Sequence, residues 1–163
     1  MKRPALPFAS VNRRDRPGYE PGLQRHHLLP RQLLALRWFQ RMADRICTIR
    51  RGFHDFRENG MLLPSCERVA LRTGLPLHRG PHRLYNELVV ERAGGIEAGW
   101  RQGRASSEVE VVQRISLLQR ALRRRLLAER RGAGLLNLKD PLRAEADFAL
   151  LDALTDDLWT VTD

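Results

Sequence analysis

The chain has 163 residues, of which 29 are Lys or Arg and 19 are Asp or Glu, and its net charge is +10 with a pI near 11.1. At this length, 42% apolar residues are enough for a single domain with a hydrophobic core, which excludes a wholly disordered protein. No apolar run approaches the roughly 20 residues of a membrane-spanning helix, and no signal-peptide stretch follows the start, so synthesis in the cytoplasm is expected.

Charge is distributed unevenly along the chain. Residues 1–143 hold all 29 basic residues and 13 acidic ones, whereas 144–163 hold six acidic residues and no basic one. Of the basic residues 27 are arginine, whose guanidinium binds phosphate with two hydrogen bonds. The basic body indicates a polyanionic partner such as nucleic acid. The acidic tail is either an ordinary terminal helix or a segment that folds back on the body and competes with nucleic acid.

The first third of the chain is predicted to contain an irregular arm, a short strand and one helix. Residues 1–22 are rich in proline, glycine and arginine and have no hydrophobic period, which predicts the arm. An extended piece at residues 26–30 follows. From Arg31 to about Ile49 the apolar residues recur with helical spacing, and the other side of this predicted helix carries arginines, favoured as a solvated face (Arg37, Arg41 and Arg45).

Shorter elements follow. Residues 53–58 are predicted to be a loop, and Asn59-Gly60 a turn before a short strand, Met61 to Leu63, that Pro64 stops. Ser65 is a candidate cap for a short helix that Gly74 ends. The two cysteines, Cys47 and Cys66, are too few for a disulfide framework and are predicted to be buried free thiols.

The second half is predicted to be helical. One helix runs from about Pro81 to Ala93 and ends at Gly94-Gly95, and a glycine-rich stretch continues to Gly103. A capping box at residues 107–110 opens a long helix to about Arg131, with a stripe of apolar residues (Val111, Ile115, Leu118, Leu122 and Leu126). A final acidic helix begins at Asp140-Pro141. The fold class is therefore α+β and mostly helical.

All five histidines lie between positions 26 and 82, and four of them form two pairs, His26-His27 and His78-x-x-x-His82. Imidazoles at i and i+4 near the start of a helix converge on one point, and a third imidazole from a strand would complete a catalytic metal site with an open position. Either His26 or His27 can be that ligand, but only one, since neighbours on a strand point to opposite faces. The other is suited to be a general base near pH 7. His54 is predicted to be structural or exposed.

Three segments match a known family in order: His26-His27-Leu28-Leu29-Pro30, Asn59-Gly60-Met61-Leu62-Leu63-Pro64, and His78-x-Gly80-x-His82-x-x-Tyr85-Asn86. They resemble the three boxes of the AHH domain, a branch of the HNH/endonuclease VII group of metal-dependent nucleases that is frequent in bacterial polymorphic toxins. Arg25 stands where that family usually has the alanine of its name. The resemblance covers about Leu23 to Gly95.

The resemblance implies a ββα-metal core at residues 23–95, between the basic arm 1–22 and a helical extension 96–163. It implies that His26, His78 and His82 are metal ligands, that His27 is the general base, and that Asn59 orients the first strand or the base by hydrogen bonding. The implied reaction is phosphodiester hydrolysis with one divalent ion. Imidazole ligands favour Zn²⁺ or Ni²⁺ by affinity, and Mg²⁺ or Mn²⁺ are candidates for the working ion.

Other residues near the histidines are candidates for contacts with the substrate or the ligands. Arg25, Arg79 and Arg83 flank the histidines closely enough to hold phosphates on either side of the cut. Tyr85 and Asn86 follow His82, and they either orient His82 or touch the scissile phosphate, with core packing as the alternative for Tyr85.

The leading interpretation is a metal-dependent endonuclease, with DNA favoured by the habit of the resembled family. If it is a toxin effector, it is delivered into a target cell and an acidic immunity protein is its partner. The alternative is a zinc-stabilised nucleic-acid-binding protein without catalysis, although four histidines without cysteine are unusual for structural zinc. A third interpretation is an interaction module built on the helix at 107–131, whose stripe is short for a coiled coil. A membrane partner is not expected.

Overall fold

The computed structural model describes residues 3–105, 107–128 and 136–137. Over these residues the chain forms two strands, β1 (Leu23–His27) and β2 (Gly60–Pro64), two 3₁₀ helices and six α-helices, so the α+β, mostly helical prediction is confirmed. The 3₁₀ helices are Phe8–Ser10 and Arg31–Ala35, and the α-helices are α1 (Arg37–Arg45), α2 (Cys47–His54), α3 (Phe56–Asn59), α4 (Glu67–Thr73), α5 (Arg83–Arg101) and α6 (Glu108–Leu127).

The two strands pair in antiparallel register, with His26 opposite Met61 and His27 opposite Gly60. Backbone hydrogen bonds extend the pairing at both ends, from Leu28 N to Asn59 O (2.8 Å) and from Ser65 N to Gly22 O (2.7 Å). The short strand predicted at Met61 to Leu63 is confirmed within β2. The extended piece predicted at residues 26–30 is displaced, because β1 is Leu23–His27. The pairing places His26 and His27 beside the segment that begins after Asn59.

The single helix predicted from Arg31 to Ile49 is wrong, as is the loop predicted at 53–58. The chain forms a 3₁₀ helix, α1 and α2 in succession, with breaks at Leu36 and Ile46 where the backbone leaves the helical region. Ile46 is buried in the core between α1 and α2, so the apolar spacing read from the sequence marks buried residues correctly although the helix is interrupted there. Asp55 caps α3 by accepting from Arg57 N at 3.0 Å, a signal that the loop prediction missed.

The end predicted at Gly94-Gly95 is wrong, because α5 continues through both glycines to Arg101. Each helical glycine costs roughly 1 kcal/mol relative to alanine, but packing overrides that cost here. Ala93 and Ile96 are buried in the core, and Gly94 faces α1, where an added Cβ would make ordinary van der Waals contact with the Trp38 ring at 3.8 Å. Pro81 lies two residues before α5 rather than in its first turn.

Two predicted helix caps have different outcomes. Ser65 does not cap α4, because Cys66 is the N-cap residue and makes no side-chain capping bond, whereas Gly74 ends α4 with φ +68° as predicted. Ser107 caps α6 by accepting from Glu110 N at 3.2 Å, which confirms the predicted helix start. The helix ends at Leu127 rather than near Arg131.

The hydrophobic core joins the sheet, α1, α2, α5 and α6. The predicted apolar stripe of α6 is buried in it, so the stripe is not available for assembly with another chain. The predicted boundary at residue 95 falls inside α5, and the division into three segments stays a prediction. The predicted acidic C-terminal helix lies outside the described residues.

Three further predictions concern the exposure of side chains and the possibility of a membrane span. Both cysteines are free as predicted, but Cys47 is exposed and Cys66 is partly exposed, so the prediction of buried thiols is wrong. The arginine side of the first helical region, Arg37, Arg41 and Arg45, is exposed as expected. Among the described residues, no helix combines the length and the apolar character that crossing a bilayer would require.

Candidate active site

Three histidine rings meet beside the sheet. His26 projects from β1, His78 lies in the loop after α4, and His82 is the N-cap residue of α5. One ligand nitrogen from each lies within 4.8 Å of the others, and the ring centroids of His78 and His82 are 4.4 Å apart, with His26 4.7 and 5.8 Å from them. The convergence predicted for these histidines is therefore present.

The local backbone that produces this convergence differs from the prediction. His78 and His82 are not one turn apart on a helix, because the helix begins only at Arg83. The chain turns at Gly80 with φ +82°, a left-handed conformation that glycine adopts without strain. His78 N donates to Pro64 O at 2.7 Å, and the Gln24 side-chain amide donates to the His78 carbonyl. The loop is thereby fixed to both strands.

Polar atoms at this cluster fit a bound cation. His26 Nε2 and His78 Nδ1 are buried and have no hydrogen-bond partner among the described residues, which is costly for a buried polar atom unless a ligand satisfies it. His82 Nδ1 lies 2.9 Å from the Leu136 carbonyl. Since a carbonyl only accepts, Nδ1 carries the proton and Nε2 is left as a lone-pair donor.

Burial also sets the charge of these rings. It lowers the pKa of His26 well below its usual range, with further lowering by His78 and His82, and burial with the nearby His82 lowers the pKa of His78 to about 4. Both rings are therefore neutral at physiological pH, and neutral imidazole is the form that coordinates a metal ion. Three imidazoles can hold one divalent ion with an open coordination position.

His27 lies on the opposite face of β1 from His26. Its ring stacks on Phe8, with centroids 3.7 Å apart and planes 2° from parallel, and Phe53 lies 6.2 Å away on the core side. Burial, followed by electrostatic interactions with Arg31, His54 and Arg25, lowers the pKa of His27 to about 4. The ring is therefore neutral at physiological pH with a free lone pair, but this pKa lies below the value near 7 that the sequence led us to expect for the base.

Asn59 is fully buried and joins three parts of the fold. Its Oδ1 accepts from Leu29 N (2.7 Å) and from Gln119 Nε2 (3.2 Å), and its Nδ2 donates to Leu29 O (3.2 Å) and Phe53 O (3.0 Å). The amide is thus occupied on both sides by protein groups. It holds the backbone just after the two adjacent histidines, in line with the orienting role that the resemblance implies.

Two residues of α6 support Asn59 and were missed from the sequence. Gln119 reaches its side chain, and Arg123 donates to the carbonyls of Gly60 (3.0 Å), Arg57 (2.9 Å) and Glu58 (3.2 Å) around it. Burial lowers the pKa of Arg123. No local pattern marks these residues, because they lie about 60 positions beyond their partners in an otherwise ordinary arginine-rich helix.

Tyr85 and Asn86 have different surroundings. Tyr85 is buried, donates from its hydroxyl to Leu28 O at 2.7 Å, and places its ring centroid 5.0 Å from that of His26. It therefore packs in the core while holding the backbone after His27. Asn86 donates from its side chain to Gln32 Oε1 at 3.1 Å.

The flanking arginines also divide into two kinds. The Arg25 guanidinium donates to the carbonyls of Phe8 (3.0 Å) and Val11 (3.3 Å), so the structure places it against the N-terminal arm. Arg79 and Arg83 are exposed, each next in sequence to a histidine of the cluster. His54, predicted to be structural or exposed, is exposed.

Comparison with known proteins gives one match. The model of the family AHH, described as a nuclease family of the HNH/ENDO VII superfamily with conserved AHH, matches residues 8–122. No curated protein and no solved structure shows a significant match. The matched range begins at Phe8, which stacks on His27, and includes both histidine pairs, Asn59 and most of α6.

Proposed function

The chain belongs to the AHH nuclease family of the HNH/ENDO VII superfamily, and we propose that it is a metal-dependent endonuclease that hydrolyses phosphodiester bonds of DNA. The observation that carries the metal dependence is the meeting of His26, His78 and His82, whose ligand nitrogens lie within 4.8 Å of one another. Two of those rings present buried nitrogens without a partner among the described residues. Binding an ion would satisfy them.

We propose His26, His78 and His82 as the residues that hold the ion, with Zn²⁺ or Ni²⁺ favoured by affinity for imidazole. An ion bound there supplies Lewis-acid stabilisation of negative charge on the phosphate and on the leaving 3′-oxygen. The Leu136 carbonyl fixes the tautomer of His82, as carboxylates and carbonyls commonly do for metal-binding histidines.

His27 is the proposed general base. Its low pKa keeps a ring nitrogen free of a proton at neutral pH, so that nitrogen can take the proton of the water that attacks phosphorus. Asn59 and Tyr85 hold the backbone of Leu29 and Leu28, directly after this histidine. Their contribution is orientation, because neither polar group is directed at open solvent.

Arg79 and Arg83 are the proposed phosphate-binding side chains, since both are exposed and directly follow His78 and His82 in the chain. Arg25 is also proposed to contribute positive charge near the base, but its guanidinium already binds two carbonyls of the arm. A net charge of +10 attracts the polyanionic substrate over a longer range.

Plasmid cleavage with matched histidine variants tests the proposal. Protein treated with EDTA should be inactive and should regain nicking on addition of one or more of Mg²⁺, Mn²⁺, Ni²⁺ and Zn²⁺. His78→Ala should lose both metal binding and cleavage, whereas His27→Ala should keep the metal and lose cleavage by about 10²- to 10⁴-fold. His54→Gln, at an exposed histidine outside the cluster, is the control and should keep both.

The results also separate the alternative function. Bound metal without cleavage of DNA or RNA under any ion would refute the nuclease and favour a zinc-stabilised nucleic-acid-binding protein. Cleavage of RNA alone would refute the proposed substrate while leaving the chemistry in place.

A role as a toxin effector delivered into a target cell is a further part of the proposal, supported by the resemblance to domains frequent in polymorphic toxins. The basic surface then favours an acidic immunity protein as partner. Induced expression in a bacterial host tests it. Growth arrest that His27→Ala abolishes would support toxicity by the nuclease, and unaffected growth with active protein present would count against it.

A further inference from the structure

The N-terminal arm, predicted from its composition to be merely irregular, reaches the proposed general base. Phe8 lies flat on the His27 ring at a centroid distance of 3.7 Å and an interplanar angle of 2°. The edge of Phe8 meets Phe56 of α3 at 5.1 Å and 75°. Phe8 is thus held between the base and the helical turn that contains Asn59.

Hydrogen bonds fix the arm on both sides of Phe8. On the N-terminal side, Leu6 N donates to Asp55 Oδ1 (3.1 Å) and Phe56 N donates to Leu6 O (2.8 Å). On the other side, the Arg25 guanidinium donates to the carbonyls of Phe8 and Val11. Arg25 and His27 both lie on β1. The same strand therefore carries the proposed base and the guanidinium that binds the Phe8 backbone.

A stacked ring limits an imidazole without blocking its chemistry. The two nitrogens of His27 lie at the edge of its ring, whereas Phe8 covers one face of it. The Phe53 ring lies farther off, with centroids 6.2 Å apart and planes 36° from parallel. Any rotation that tilts the His27 ring would break the stacking, so the stacking fixes the plane in which both ring nitrogens lie. Without Phe8, the stacking contact that restrains the His27 ring would be absent.

Building on the nuclease function proposed above, we propose that Phe8 is a positioning residue, and that the docked arm holds the His27 ring in the orientation from which it accepts a proton from water. The arm is then a working part of the active site. Its contribution is separate from the metal ligands, because His26 points to the other face of β1 and meets His78 and His82 there.

Two substitutions distinguish the ring of Phe8 from its bulk. Phe8→Leu keeps apolar volume but removes the stacking, whereas Phe8→Tyr keeps the ring. We expect Phe8→Leu to lower kcat for DNA cleavage by about 2- to 10-fold, the factor that corresponds to the free energy of one aromatic pair. KM and metal affinity should stay at the parent values, and Phe8→Tyr should stay close to the parent in kcat.

A second measurement does not depend on activity. NMR spectra of histidine-labelled, metal-free protein should show the His27 ring protons shifted upfield by the ring current of Phe8. The shift should be lost in Phe8→Leu and kept in Phe8→Tyr. The His26 signals, on the other face of the strand, are the internal control and should move little.

Three results would overturn the inference: an unchanged kcat in Phe8→Leu, an equal loss in Phe8→Tyr, or a rise in KM in place of the fall in kcat. The last result would mean that Phe8 contacts substrate. A parent protein that binds metal but cleaves nothing would refute the nuclease function itself, and the ring-current shifts would then still decide whether Phe8 holds His27.

Discussion

Replacing Asn59 by alanine is expected to lower the free energy of unfolding by about 3–4 kcal/mol. The buried amide binds Leu29 through both its N–H and its carbonyl, and it also binds the Phe53 carbonyl. Alanine would leave these three backbone groups without their partner where water does not reach, and each such loss costs about 1–1.5 kcal/mol. Since small domains are stable by only about 5–15 kcal/mol, the effect is large.

Gln119→Met is the matched control, because it keeps the side-chain volume but removes only the single bond to Asn59 Oδ1. It should cost about 1 kcal/mol. Urea denaturation in EDTA measures both variants without a contribution from bound metal. If Asn59→Ala is no less stable than Gln119→Met, the four hydrogen bonds do not support the fold as argued, and Asn59 has some other role.

Three further predictions concern the same region. Tyr85→Phe removes the hydrogen bond to the carbonyl that follows His27 and should cost about 1 kcal/mol in thermal denaturation; an unchanged melting temperature would contradict it. Gly60→Ala would place a Cβ in steric overlap with carbons of the Phe56 ring and should cost about 1–3 kcal/mol, so a stable variant would show that Phe56 moves easily. The pKa of His27 and His78 is about 4 when folded against a usual 6.5, so the unfolded chain binds more protons between those values. The free energy of unfolding of metal-free protein should therefore fall as pH falls from 6.5 towards 4. The upper limit is about 1.4 kcal/mol per pH unit for each histidine, and the actual change should be smaller because both rings are partly exposed to solvent. A urea midpoint independent of pH in that window would refute this.

The sequence predicted the convergence of the metal-site histidines but not the backbone that produces it. Alternation along a strand requires His26 and His27 to face opposite ways, but it does not say which of them meets His78 and His82. The structure shows that His26 does, whereas His27 meets Phe8. The i, i+4 spacing of that pair suggested a helix, yet the rings meet across a turn at Gly80. Spacing alone does not separate these two geometries.

The contacts that support the site could not be predicted from local sequence patterns, because they join residues that are far apart in the chain. Gln119 reaches Asn59 from 60 positions away, and the Leu136 carbonyl reaches His82 from 54. Local signals also failed where packing overrode them. Gly94 lies inside α5 although glycine usually ends a helix, since burial of the neighbouring apolar side chains outweighs its low helix propensity.

The strand β1 separates the proposed chemistry into two halves that different parts of the chain support. His26 faces the ligands supplied by the loop after α4 and the start of α5, with the Leu136 carbonyl behind His82. His27 faces the arm and α2, through Phe8 and Phe53. The backbone of β1 connects the two faces, and the side chains of Asn59 and Tyr85 hold it just beyond the histidines. Substitutions on the arm should therefore alter turnover without altering metal affinity, whereas weakening the hold on that backbone should disturb both together.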